Sequence, residues 1–240
     1  MLGLSLLLAL AAAGLPTGNR PAAQQTATVR GRVVIDIPPG GRRPSSAYPS
    51  RAVAQAQLAP PSEVENVVVF LKDAPARPVP PRRTAIRQRG ETFLPRVIAV
   101  PVGSTVDFPN DDPIYHNVFS RSETRPFDLG LYQSGQAREL VFDREGIVRV
   151  GCNLHANMSA TVVVVSAPHY AITDRRGRFF FRSLEPGRYR LRAYGERGNE
   201  PTTQELMVSA GDNTVSVALA DAPLGPLADK FGIPRALETR

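Results

Sequence analysis

Four consecutive valines, Val162 to Val165, run through the segment Ser159–Ser166. β-Branched side chains are stiff at their first torsion and crowd well on a pleated surface, so this run predicts a strand. It lacks polar alternation, which predicts burial on both faces. Such a strand needs further layers to cover it, and the rest of the sequence offers strands rather than helices. Apolar or alternating stretches recur at Thr26–Ile37 (Val29, Gly31, Val33, Ile35), Val67–Leu71, Val97–Val100, Thr105–Phe108, Asn117–Ser120, Arg138–Phe142 and Ile147–Cys152. They continue at Arg178–Arg182, Arg188–Ala193, Glu205–Val208 and Thr214–Leu219, the last two pairing across the hairpin-like turn Ala210-Gly211-Asp212-Asn213. With 23 Pro and 19 Gly among 240 residues to punctuate these runs, the fold class is expected to be all-β.

Between the strands the composition shifts. Leu2–Leu15 is an apolar run with small residues at Ala11 to Ala13, too short to span a bilayer comfortably. Residues 1–23 are read as a signal peptide, although no Lys or Arg precedes the apolar core. The stretch Pro38–Pro61, rich in Pro, Gly, Ser, Ala and Gln, is expected to be a loose loop. Ala74–Arg89 is expected to be a second, exposed Pro/Arg-rich excursion. The resulting plan is an N-terminal strand and loop (26–62), a first β unit (64–166), a second (168–220) and a tail (221–240) without an evident partner. Whether residues 26–71 belong to the first or the second unit stays open at this level.

The net charge is +7, almost all of it arginine. The basic residues are scattered, with no helical stripe and no RNA-binding motif, so nucleic acid is not expected as a partner. A basic surface that steers an acidic protein partner fits better. A single cysteine excludes an intrachain disulfide. The thiol is then a buried bystander, an intermolecular link, a nucleophile or a metal ligand.

Cys152, His155 and Met158 fall within seven residues between the two strongest strands. In Ile147–Cys152, Val148, Val150 and Cys152 share one face and Arg149 points the other way, so the thiol faces inward. His116 comes from a different hairpin and closes the set. Taken singly, a lone Cys is usually a small buried hydrophobe, a lone Met fills a gap and a lone His is structural. Together, two imidazoles, one thiolate and one weak thioether form the ligand set of a type 1 copper site. Zinc seldom takes a thioether and would want more thiolates or a carboxylate. A Cys–His nucleophile would need an oxyanion hole and a substrate cleft, and neither shows in the sequence, so no enzyme is expected. His169, beside Pro168 and Tyr170, reads as a junction residue.

These motifs resemble the cupredoxins. Cys152-Asn153-Leu154-His155-Ala156-Asn157-Met158 has the spacing of the short ligand loop of amicyanins, with Ala156 where those have proline. Val102 to Asn110, followed by His116-Asn117-Val118, resembles the stretch that supplies the first histidine. The resemblance implies a Greek-key β-sandwich holding one copper ion, Cu(I) or Cu(II), on His116, Cys152, His155 and Met158. It also implies that Asn117 ties the two ligand loops together. Thr173-Asp174-x-x-Gly177-x-Phe179 and Pro186-Gly187-x-Tyr189-x-Leu191 resemble a carboxypeptidase-regulatory-like (prealbumin-type) β-sandwich, a usually non-catalytic module. The arrangement is similar to bacterial exported proteins described as methylamine-utilisation or plastocyanin-like.

The function expected is a periplasmic type 1 copper protein that transfers single electrons to and from a redox partner protein. Copper storage or delivery uses the same ligands and is the first alternative. A metal-free envelope scaffold is the second.

Overall fold

Every described strand hydrogen-bonds its polar backbone to another strand, and in the computed structural model this pairing builds two packed β-sandwiches. The structure describes residues 26–36, 64–74, 77, 79–195, 201–220 and 227–235. The expected signal peptide and the Pro38–Pro61 loop lie outside the described residues. Among the described residues there are seventeen strands and no helix, the all-β class expected. They are β1 (Ala27–Asp36), β2 (Val68–Leu71), β3 (Arg83–Ala85), β4 (Arg87–Gln88), β5 (Phe93–Leu94), β6 (Val97–Pro101), β7 (Ser104–Pro109), β8 (His116–Ser120) and β9 (Phe127–Tyr132). The rest are β10 (Ala137–Phe142), β11 (Gly146–Gly151), β12 (Ser159–Val165), β13 (Tyr170–Ile172), β14 (Arg178–Leu184), β15 (Gly187–Tyr194), β16 (Thr202–Val208) and β17 (Gly211–Ala220).

One sandwich faces the sheet β6-β12-β11-β8-β9 with the sheet β10-β7-β3, and the pair β4-β5 flanks it. Successive strands cross between its sheets, from β6 to β7, back to β8, and again from β9 to β10 and β10 to β11, a Greek-key path. Its core holds Phe93, Phe108, Tyr132, Phe142, Val148 and Val150. The other sandwich faces β14-β1-β17 with β13-β2-β15-β16 around Val29, Val69, Leu71, Phe181, Leu184 and Leu191.

Pairing settles the open assignment of the N-terminal strands. β1 runs parallel to β17 in unbroken register from Ala27–Gly211 to Asp36–Ala220. β2 pairs antiparallel with β13 and β15. Both therefore sit in the sheets of the second sandwich, and the Greek-key unit is inserted between β2 and β13. The question could stay open in the sequence because the hydrogen-bond partners of β2 lie about a hundred residues away.

Two further expectations change. β16 and β17 do not form a hairpin, because β16 pairs with β15 and β17 with β1, in different sheets. The Ala74–Arg89 stretch is not all exposed: β3 adds a parallel edge to β7, and Ile86 and Gln88 are fully buried.

The valine run earns its burial on both faces. Val162 and Val164 point into the Greek-key core. Val163 and Val165 point the other way and pack with Val68, Phe70, Val97, Ala99 and Tyr194. The outer face of β6-β12 thus packs on the outer face of β2-β15, and four sheets stack into one body. β2 shows the same division, with Val69 and Leu71 in one core and Val68 and Phe70 in the shared layer.

Candidate metal centre

The ligand loop is short because β11 and β12 are adjacent antiparallel strands, with Gly151 opposite Ser159. The chain must reverse within Cys152–Met158. Two backbone hydrogen bonds close it: the Cys152 N–H donates to the Met158 carbonyl (3.2 Å) and the Met158 N–H to the His155 carbonyl (3.1 Å). His116 opens β8, whose Phe119 pairs with Gly151 of β11. The two contributing segments are therefore held by one sheet.

His116 Nδ1 and His155 Nδ1 are 3.1 Å apart, and Cys152 Sγ lies 3.9 Å from the first and 3.7 Å from the second. Among the described residues these three form a cluster able to hold a metal ion. The circle through three points so spaced has a radius of about 2.1 Å, the length of a metal–nitrogen bond and about 0.2 Å short of a zinc–sulfur bond.

The protonation pattern agrees. His116 Nε2–H donates to Asp112 Oδ2 at 2.8 Å, which leaves the Nδ1 lone pair aimed at the cluster. Asp112 is itself 6% exposed and also accepts the backbone N–H groups of Gly90 (2.5 Å) and Glu91 (2.9 Å). Burial acts to raise its carboxyl pKa, but the Glu91, His116 and Gly90 hydrogen bonds outweigh it and hold the group below the ordinary carboxylate value. Asp112 is thus an anion that orients the ring. Sequence reasoning missed it: Asp111 and Asp112 look alike, and Asp111 turns outward to a paired contact with Arg87. The available signal was a carboxylate in the turn just ahead of a candidate ligand histidine, since metal-bound imidazoles usually give their other N–H to such a group.

His116 and Cys152 are fully buried and Met158 is 1% exposed, whereas His155 is half-buried and nearest the surface. Met158 ends the loop and belongs to the same core as Cys152. Tyr132, directly opposite His116 in the β8–β9 ladder, walls the site. Burial pushes its phenol pKa up, so it stays protonated and donates to the Phe108 carbonyl at 2.8 Å. Asn117 Oδ1 accepts the Asn153 N–H at 3.1 Å, while its amide donates to Asp128 Oδ1 (2.6 Å) and the Gly130 carbonyl (3.2 Å). His169 stands apart from the cluster. Its carbonyl accepts the Leu71 N–H at 3.0 Å, and its ring centroid lies 6.5 Å from that of Phe181 in the second sandwich.

A family profile described as "Carboxypeptidase regulatory-like domain" matches residues 146–220, which takes in β11 and β12 as well as β13 to β17. No curated protein matches the chain. Among solved structures, the chain is similar to a Cu-containing nitrite reductase from Thermus scotoductus SA-01, at 24% identity and a TM-score of 0.33. That match covers 37% of this chain and 23% of the reductase chain, so it spans under a quarter of the latter. A purple cupredoxin from Nitrosopumilus maritimus matches at 26% identity and a TM-score of 0.32, over 34% of this chain and 99% of that one. A mutant of amicyanin with Cu(I) matches at 22% identity and a TM-score of 0.33, over 34% and 81%. Among the described residues no helix is long and apolar enough to cross a membrane.

Proposed function

We propose that the chain binds one copper ion through His116, Cys152, His155 and Met158 and passes single electrons between partner proteins outside the cytoplasm. The observation that carries this reading is the convergence of two imidazole nitrogens and one thiol sulfur on a point about 2.1 Å from each. A trigonal His₂Cys set with a thioether at hand suits copper better than zinc. When bound, copper supplies a one-electron couple, Cu(II) to Cu(I), reduced by one protein partner and oxidised by another.

The protein's part is to keep the donors still. Asp112 fixes the His116 ring, the sheet fixes Cys152, and the closed loop fixes His155, so the three donors would be held in place around a bound ion. Burial of Cys152, His116 and Met158 keeps water from the thiolate. The half-buried His155 ring, beside the exposed Leu154, is the exit for the electron. The excess of basic charge suits an acidic protein partner. A ligand set filled by protein side chains supports an electron carrier over an enzyme, and donor burial supports a carrier over a copper-delivery protein. Export is read from the apolar leader.

The test is optical. Protein loaded with Cu(II) is expected to absorb strongly near about 600 nm, the thiolate-to-copper band of such sites, and Cys152→Ser to lose the band. A colourless wild-type protein sinks the proposal. Exchange of the bound ion against a chelator within seconds would move the assignment to copper delivery.

A further inference from the structure

The sequence gives the stretch after β17 no partner, yet residues 227–235 lie across the ligand loop. Asp229 organises the segment: its Oδ1 accepts the N–H groups of Phe231 (2.9 Å) and Ile233 (2.8 Å), and its carbonyl accepts that of Gly232 (3.0 Å). The segment then grips the residue that follows the cysteine. The Lys230 N–H donates to Asn153 Oδ1 at 3.1 Å, and Lys230 Nζ pairs with Asp128 Oδ2 at 2.8 Å. Arg235 donates from Nη1 to the Cys152 carbonyl (2.8 Å) and from Nη2 to the Asn153 carbonyl (2.9 Å) and Oδ1 (3.0 Å). Its guanidinium also lies 5.9 Å from the centroid of the Phe119 ring.

We propose that Arg235 is a positioning residue for the metal centre, clamping the Cys152–Asn153 backbone so that the segment 227–235 raises the reduction potential of the site. Two consequences follow from the chemistry. First, a planar fork bonded to two successive carbonyls holds the peptide that carries the thiolate, and both bonds are charge-assisted. Second, a permanent cation on the cysteine's own carbonyl favours the metal state of lower positive charge. Cu(I) is thereby favoured over Cu(II), which raises the potential. Asn153 takes part from both sides, since its N–H is held by Asn117 and its side chain by Lys230 and Arg235. Asp128 closes the ring of contacts, receiving Lys230 on one oxygen and Asn117 on the other.

This inference rests on the copper reading for its potential, though the clamp can be tested without metal. The experiment compares the full-length wild type with Arg235→Ala and Arg235→Lys. In copper-free protein, amide exchange at Asn153 is expected to quicken about tenfold in R235A, by more than any shift in the urea midpoint accounts for. In copper-loaded protein, the preference for Cu(I) over Cu(II) is expected to fall about tenfold in R235A, equivalent to about 59 mV for a one-electron couple. R235K keeps the charge but lacks the fork, so it should recover most of the potential and little of the amide protection. Equal potentials for wild type and R235A overturn the proposal, and so do equal Asn153 exchange rates. A wild type that takes up no copper at Cys152 defeats the copper reading, and the exchange comparison then decides the clamp by itself.

Discussion

Asn117 and Asn153 are 36 residues apart and are joined by one hydrogen bond, from the Asn153 N–H to Asn117 Oδ1 at 3.1 Å. Through it the loop carrying Cys152 and His155 is tied to the strand carrying His116. Asn117 is 1% exposed, and its amide donates to Asp128 and Gly130, which water also reaches. Asn117→Ala should therefore destabilise the fold by about 1 kcal/mol, the net value of a lost hydrogen bond whose partners solvent can partly satisfy. The measurements are urea unfolding and the spectrum of the Cu(II)-loaded variant. We expect the band to shift or broaden, because Cys152 and His116 lose their common brace.

Asp112 gives the second prediction. It holds the outer nitrogen of His116, and removing such an outer partner typically costs 10–100-fold in metal affinity. Asp112→Ala should lose about that factor in Cu(I) affinity by competition with a chelator. Asp112→Asn keeps an acceptor for the ring N–H and should lose less. Equal affinities for all three proteins would show that the His116 ring is oriented by packing alone.

How far the sequence foretold this depends on whether the signal was local. The cluster of His116, Cys152 and His155 was legible because its residue types are chemically distinctive and two of the three fall in one loop. Strands such as β6, β7, β10 and β12 were legible from alternation or from β-branched runs. The partners of β1 and β2 were not. Each presents an ordinary apolar pattern, and nothing in a pattern says which strand a hundred or more residues away will accept its hydrogen bonds. The same holds for β16 and β17, where a favourable turn sequence suggested a hairpin that the sheet order overrides. Asp112 and Arg235 were hidden for another reason. Their roles come from burial and from contacts across the fold, and their sequence surroundings resemble many exposed acidic and basic positions.

The layer shared by the two sandwiches gives a third prediction. Val163 and Phe70 both belong to it, whereas Val162 points into the Greek-key core. Val163→Ala and Val162→Ala should each cost about 2 kcal/mol, from the lost methyl groups and incomplete relaxation. They differ in coupling. Combined with Phe70→Leu in a double-mutant cycle, Val163→Ala should depart from additivity by about 0.5 kcal/mol or more, and Val162→Ala should add within that margin. Urea unfolding of the wild type, the three single variants and the two double variants decides the matter. Additivity in both cycles would mean that the sandwiches touch without sharing an energetic core.

The turn at Asp174 gives a prediction in pH. Gly177 adopts a φ of +73°, the left-handed region open to glycine, and its position lets Asp174 fold back on the residues that follow. Asp174 accepts Arg178 Nε at 2.8 Å and the backbone N–H groups of Arg178 (3.0 Å) and Arg176 (2.9 Å). The Arg178 side chain first, then those backbone bonds, hold its pKa at about 2 against an ordinary value of 3.8. The folded value lies below the unfolded one, so the turn's contribution to stability is complete above 3.8 and is lost as the pH falls towards about 2. A carboxyl-carbon NMR titration should place the Asp174 midpoint near 2 in the wild type and closer to 3.8 in Arg178→Ala. Asp174→Asn should remove that share of the acid sensitivity and leave the copper spectrum unchanged, because the turn lies in the second sandwich. A wild-type midpoint at the ordinary value would mean that Arg178 and the turn amides do not hold Asp174 in solution as they do in this structure.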